Sequence, residues 1–258
     1  MTAGLLIDTT LCTGCGACSL ACKEKNQLPR TARHPLEDRL SAATWTVVEE
    51  RNGRYVRKLC LHCRDATCVS VCPVGAFEKT ADGPVIYHEA RCMGCRYCVL
   101  ACPLSMPRFD WASTSPRIGR CDLCADRVRA GLETACASVC PTGATRFGNR
   151  EGLIEEARAR FRDSPGRYTG RIFGLEEIGG TAVLTISDLP PEALGFPAGL
   201  DAQPVPLATW KALRLAPGAA LGAAALLAGT CWIVRRRMAR AEKADGGDAG
   251  EHRDPAVP

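Results

Sequence analysis

Aromatic side chains are scarce in this chain: Trp, Tyr and Phe together make up 5 % of its 258 residues. Such side chains dominate ordinary core energetics, so their scarcity means that something besides side-chain packing organises much of the molecule. A surplus of one charge sign is also missing. Lys and Arg number 33 against 28 Asp and Glu, a net +5 that is too mild for a nucleic-acid-binding protein. No G-x-G-x-x-G run opens a strand–helix unit, which excludes the usual dinucleotide-binding fingerprint. Residues 1–11 carry neither an arginine pair nor an apolar stretch of signal length, so no export signal is expected there. Wholesale disorder is excluded too, because 46 % of the residues are hydrophobic and 24 % charged. The length fits one large domain or two ordinary ones.

What the chain has in excess is cysteine. There are 17, of which all but Cys231 lie between Cys12 and Cys140. They form four groups of four: Cys12, Cys15, Cys18 and Cys22; Cys60, Cys63, Cys68 and Cys72; Cys92, Cys95, Cys98 and Cys102; Cys121, Cys124, Cys136 and Cys140. The third group, with Pro103 after it, matches the bacterial ferredoxin run C-x2-C-x2-C-x3-C-P without deviation. The second and fourth depart from it by x4 and x11 spacers, and the first ends in Lys23 in place of proline. Three thiolates at three-residue spacing let a tight loop wrap three iron corners of one cubane. The fourth cysteine is expected to start a helix that leads away to a neighbouring cluster. Gly14, Gly16 and Gly94 leave room for backbone N–H groups to approach the sulfurs. Zinc sites favour paired C-x2-C units with a longer spacer, and disulfides suit small secreted domains whose cysteines are less crowded. Fourfold recurrence therefore predicts four [4Fe–4S] clusters held by all sixteen.

The surrounding pattern is α+β. Leu5, Leu6 and Ile7 read as a strand into the first loop. Residues 73–87 read as a helical turn and two short strands around Asp82-Gly83. Thr44 to Glu50 and Tyr55 to Leu59 flank Asn52-Gly53, a strong hairpin signal, as an insertion between groups one and two. Glu151 to Phe161 has apolar residues at helical spacing, and Thr181 to Ile186 is strand-prone after Gly179-Gly180. Pro190, Pro191, Pro197, Pro204 and Pro206 mark residues 189–210 as an extended linker after a body over 1–188. Leu215 to Val234 holds 20 residues without a charge, about 30 Å of helix and enough to cross a bilayer. A transmembrane helix is accordingly expected over 211–236, with Pro217 in its first turn and a disordered tail over 237–258. Gly218 and Gly222 would allow another membrane helix to approach closely, and Cys231 reads as a small apolar residue. The alternative for this segment is a buried Ala-rich helix. Lys211 precedes it and Arg235, Arg236, Arg237 and Arg240 follow it, which puts the C-terminus in the cytoplasm and the cysteine-rich body outside. A body that carries clusters and lacks its own export signal would cross folded, bound to a partner with a twin-arginine signal.

With its four cysteine groups, its Arg120 to Arg127 run, its Cys140-Pro141-Thr142-Gly143-Ala144 turn, Gly179-Gly180-Thr181 and one C-terminal apolar helix, the chain resembles a known family. These are the four-cluster iron–sulfur subunits of membrane-bound anaerobic oxidoreductases, of the hydrogenase-2 type and the respiratory formate dehydrogenase type. The stretch Arg171 to Ser187 leans toward the hydrogenase type. The resemblance implies two interleaved bacterial-ferredoxin-like modules, built from groups one with four and two with three. It implies ligand sets Cys12, Cys15, Cys18 with Cys140; Cys121, Cys124, Cys136 with Cys22; Cys60, Cys63, Cys68 with Cys102; and Cys92, Cys95, Cys98 with Cys72. Spacing alone supports exchange of fourth ligands but leaves their partners open. The implied role is an electron relay between a large catalytic subunit and a membrane cytochrome b or other quinone-reactive subunit, with contact to membrane lipid. The alternatives are a membrane-tethered polyferredoxin facing the cytoplasm and an enzyme with its own chemistry. The latter lacks a free ligand or site constellation, His62 and His88 being its only candidate proton donors. Residues 1–140 carry 18 Lys and Arg against 14 Asp and Glu, which only partly offsets about −2 for each oxidised cubane. Arg64, Arg96 and Arg120, beside the ligand loops, are the expected tuning residues.

Overall fold

A computed structural model describes residues 2–30, 33–113 and 117–245. Along the chain run β1 (Ala3–Asp8), α1 (Ala17–Lys25), β2 (Thr46–Arg51), β3 (Arg54–Leu59), α2 (Thr67–Ser70), β4 (Phe77–Lys79), β5 (Val85–Tyr87) and α3 (Tyr97–Ala101). They are followed by β6 (Arg108–Phe109), β7 (Ile118–Gly119), α4 (Ala125–Arg129), α5 (Ala135–Ser138), β8 (Thr145–Asn149), α6 (Arg150–Asp163), β9 (Val183–Ile186) and α7 (Val205–Asp245). The chain divides into two compact units, residues 1–207 and 208–258.

In the first unit β1 is the middle of a three-stranded sheet, antiparallel to β8 and parallel to β9. Every residue of β1 is buried because both faces are covered, and the side chains alternate between them. Leu6 joins Leu153, Ile154 and Ala157 of α6, the expected amphipathic helix. Leu5 and Ile7 join the opposite core, in which Val56, Leu59 and Leu123 pack among the cysteines. The Asn52-Gly53 hairpin forms as β2 and β3, with Asn52 at φ 50° and Gly53 at φ 74°, the left-handed pair a two-residue turn needs. β4 pairs with β5 and β6 with β7 in two further antiparallel ribbons.

Three expectations need correction. Residues 189–202 are a packed strap and no free linker: Leu194 and Phe196 are buried in the main core. Asn52 Nδ2 donates to the Ala193 carbonyl, and the N–H groups of Ile178 and Gly179 donate to Asp201 and Ala202. The prolines turn the strap instead of extending it, and apolar residues between them drop into the core. Helix α7 starts at Val205, so Pro206 lies in its first turn and Pro217 well inside it. Proline is tolerated within a helix where neighbouring groups can satisfy the freed carbonyl, as in membrane spans. The helix also continues through Arg235 to Asp245, where a disordered tail was expected; residues 246–258 lie outside the described residues. Val205–Ala241 is long and apolar enough to cross a membrane, and none of its most apolar stretch is buried by the protein. Leu215, Leu221, Leu226 and Leu227 are all at least 70 % exposed, a face that needs a non-aqueous surrounding.

Candidate iron–sulfur centres

The fold brings the sixteen cysteines together across the groups. Cys12, Cys15, Cys18 and Cys140 line one cavity. Cys60, Cys63, Cys68 and Cys102 line a second. Cys22 faces Cys136 and Cys124, and Cys121 faces Cys22 and Cys136. Cys98 has Cys92, Cys95 and Cys72 as its neighbours. Each quartet thus combines three thiols of one group with the last thiol of another. The quartets also neighbour one another in order, near enough that Cys136 raises Cys18, Cys60 raises Cys121 and Cys98 raises Cys68 electrostatically. The two end quartets reach the surface, at exposed Cys15 and between exposed Met93 and Leu100.

One backbone device recurs in all four groups. The residue before the second cysteine takes the left-handed conformation: Gly14 at φ 72°, His62 at 51°, Gly94 at 75° and Leu123 at 54°. That bend turns N–H groups inward, and those of Gly94 and Leu123 donate to the Sγ atoms of Cys92 and Cys121 at 3.4 and 3.3 Å. A second device follows the last cysteine. After Cys72-Pro73, Cys102-Pro103 and Cys140-Pro141 the chain turns through Gly75, Ser105 and Gly143, all at positive φ. Ala76 N–H donates to Cys72 Sγ at 3.2 Å and Thr145 N–H to Cys140 Sγ at 3.4 Å. Contrary to expectation, these cysteines close their short helices instead of starting them, because proline directly after the thiol ends the helical run. The first group has Lys23 there, so α1 continues and its Asn26 Nδ2 takes over as donor to Cys22 Sγ, 3.6 Å away. Lys23 itself is buried in a 2.6 Å ion pair with Asp38.

Burial sets the chemistry of the thiols. Desolvation pushes Cys22 and Cys68 up to about 12 and Cys98 and Cys124 up to about 11. Binding a cluster as thiolates would therefore release protons. Cys140 moves the other way. Burial alone would raise it, but donors on Thr145 and Thr142 outweigh that and lower it.

The expected tuning arginines separate. Arg120 is buried; its Nη2 lies 3.6 Å from Cys60 Sγ and donates to the Val85 carbonyl at 2.9 Å. Arg64 is exposed. Arg96, also exposed, takes the left-handed cap of α3. Its guanidinium stacks on Phe109 and Trp111, 5.2 and 4.8 Å from their ring centres, because the left-handed backbone turns it outward. Sequence reading missed Arg57, which lies on β3, three residues before the second cysteine group but distant in sequence from the groups one and four whose thiols it meets, and is 3 % exposed. It lines the first cavity with Val48 opposite it in the hairpin. The signal available was a hairpin inserted between two ligand groups. His62 is fully buried, its Nδ1 accepting from Val85 N–H at 3.0 Å. Burial, then the charges of Arg120 and Lys79, push His62 well below its ordinary value. His88 stands at the surface, 2.9 Å from Glu78.

Whether a cluster fits can be judged from the donors. None of the seventeen thiols is in a disulfide. Among the described residues, no three metal-ligating side chains converge on a point a single ion could fill, which sets zinc aside because its thiolates approach to about 2.3 Å. Among the described residues, Arg120 Nε and Nη1, buried near Cys60 and Cys68, have no acceptor. Donors pointed at the quartets suit the bridging sulfides of a cluster.

Models of the 4Fe-4S dicluster domain match residues 11–76 and 52–150. The chain is 33 % identical to hydrogenase-2 operon protein HybA of Escherichia coli O157:H7, over 96 % of this chain and 88 % of that protein. It is 36 % identical to the iron–sulfur subunit of the nitrate-inducible formate dehydrogenase of Escherichia coli K12, over 87 % of this chain and 81 % of that subunit. The chain belongs to this family of dicluster iron–sulfur subunits. A protein of Nitratidesulfovibrio vulgaris is 36 % identical over 91 % of this chain and 67 % of its own length. This iron–sulfur subunit is an α+β chain with two dicluster domains, and its cofactors are four [4Fe–4S] clusters. Its role is electron transfer within an oxidoreductase complex.

Proposed function

We propose that each of the four quartets holds one [4Fe–4S] cluster, through the ligand sets Cys12, Cys15, Cys18, Cys140; Cys22, Cys121, Cys124, Cys136; Cys60, Cys63, Cys68, Cys102; and Cys72, Cys92, Cys95, Cys98. The clusters, when bound, supply one-electron redox chemistry. The protein's part is to hold them in a row, to exclude water and to set their potentials through N–H donors and buried charge. Groups one and four then form one ferredoxin-like module and groups two and three the other, interleaved in sequence. The observation that carries this reading is the row of quartets, whose two ends reach the surface at exposed Cys15 and beside exposed Met93 and Leu100. A row with two ends serves two partners: a catalytic subunit, of hydrogenase or formate dehydrogenase type, and a cytochrome b or other quinone-reactive subunit in the membrane. The chain itself is not catalytic in this reading, since all sixteen body cysteines are ligands. Arg120, 3.6 Å from Cys60 Sγ, is placed to tune the Cys60 quartet, whereas Arg64 and Arg96 are exposed.

Anchoring is by α7, and its arginine-rich end (Arg235, Arg236, Arg237 and Arg240) places that end in the cytoplasm and the body outside. Export then depends on a folded partner carrying a twin-arginine signal. A reporter active only outside the cell when fused after Val234 would refute the orientation and favour a cytoplasmic polyferredoxin. Iron and acid-labile sulfide analysis of the anaerobically purified chain tests the cofactor reading. About sixteen of each per chain is expected, four for each cubane, and a count near eight would overturn it.

A further inference from the structure

A buried arginine needs compensation, because burying an unpaired charge costs several kcal/mol. Arg57 has no carboxylate partner among the described residues. Its Nε donates to Thr46 Oγ1 at 3.0 Å and its Nη1 lies 3.3 Å from Thr145 Oγ1, two neutral hydroxyls. Burial by itself disfavours its positive charge. The charges of Cys136 and Cys18, a hydrogen bond to Cys136 and the charge of Cys121 reverse that. Arg57 therefore lies among thiols of two quartets, sharing a cavity with Cys18 of one and hydrogen-bonded to Cys136 of the other. A hairpin inserted in the sequence carries it there.

We propose that Arg57 is the shared counter-cation of the two centres held by groups one and four, and that it raises the reduction potential of both. The proposal rests on the ligand sets given above. Adding one electron to such a centre adds one unit of negative charge and breaks no bond. A fixed cation at short range, in a medium that screens poorly, favours the reduced form over the oxidised one. Guanidinium cannot lose its proton in this range, and two threonines hold it in place, so the effect is constant with pH. The centres of groups two and three lie outside the hydrogen-bond reach of Arg57, and Arg120 stands beside one of them.

The test is a potentiometric titration of the purified full-length chain, followed by electron paramagnetic resonance, with iron counted on each sample. In Arg57→Gln two of the four midpoint potentials should fall at least tenfold in equilibrium constant, 59 mV for a one-electron couple, at an unchanged iron count. Arg57→Lys keeps the charge and should recover at least half of that shift. Four unmoved potentials at full iron content would overturn the proposal, and so would an equal shift in all four. If both variants lose iron, Arg57 serves assembly alone and the proposal is overturned as well. A wild-type chain well short of about sixteen irons would instead defeat the ligand sets, before any variant is compared.

Discussion

At His62 and Leu123 the backbone stands at φ 51° and 54°, where a side chain costs about 1–2 kcal/mol. Glycine occupies the matching positions of the other two groups, so the conformation belongs to the loop and not to the residue. His62 is held in it by Val85 N–H, and Leu123 by full burial in the core. Exchange of the fourth ligand is testable residue by residue. Serine at both Cys22 and Cys121 should remove about four irons from about sixteen, because the two thiols face each other in one quartet. Without exchange the pair would belong to different centres and about eight would go; iron analysis of the double variant decides. Lys23 stands where the other groups have proline, and it allows α1 to run on to Lys25. Its ion pair with Asp38 has both partners 4 % exposed. Lys23→Met should cost about 3–5 kcal/mol, because Asp38 would be left charged and buried, and denaturant unfolding of the loaded chain would read the loss.

Among the elements, the hairpin and the strap behave differently from what their sequences promise. The β2–β3 hairpin was expected at its Asn52-Gly53 turn, yet its purpose was not. It delivers Val48 and Arg57 to the first cavity and presents Lys58 to the strap. Lys58 Nζ donates to the carbonyls of Leu194 and Gly195, both at 2.9 Å, and sits 3.7 Å above the Phe196 ring. Burial lowers Lys58 to about 8. The unfolded chain then binds the extra proton between about pH 8 and the ordinary lysine range, so the stability of the folded state rises across that interval. Expressed against Lys58→Met, in which the group is absent, the melting temperature of the wild type should climb from pH 8 to pH 10. A flat difference would mean that the ammonium stays fully charged beneath the strap. The cysteine spacing made the quartets legible, because ligand geometry is local to each loop. The strap and Arg57 were not legible, because their positions are fixed by contacts distant in sequence, Lys58 to Leu194 across 136 residues for one and Arg57 to Thr145 across 88 for the other. Proline frequency in residues 189–206 signals turns and is silent about the Leu194 and Phe196 side chains that dock between them.

For the molecule as a whole the question is how two units of different material share one chain. The first, residues 1–207, has its own sheet, cores and quartets; the second is a helix whose leucines find no cover in the protein. In the first unit, inorganic clusters take the place that aromatic side chains hold in other cores, so its stability should depend on them. Chelation of iron under denaturing-free conditions should collapse the body signal in circular dichroism, while a truncated chain with iron intact should not differ from the full-length body. This separates the two units experimentally. A chain ending at Pro204 omits α7 but keeps the strap contacts of Asp201 and Ala202 with Ile178 and Gly179. It should leave the membrane fraction, remain soluble without detergent, and retain about sixteen irons. Ending the chain at Leu189 should fail, since it removes Leu194 and Phe196 from the core and exposes Lys58. If the chain ending at Pro204 stays with membranes, the body itself holds a membrane partner, and α7 is a second contact instead of the anchor. If it loses its clusters, the helix contributes to their retention and the two units are not separable.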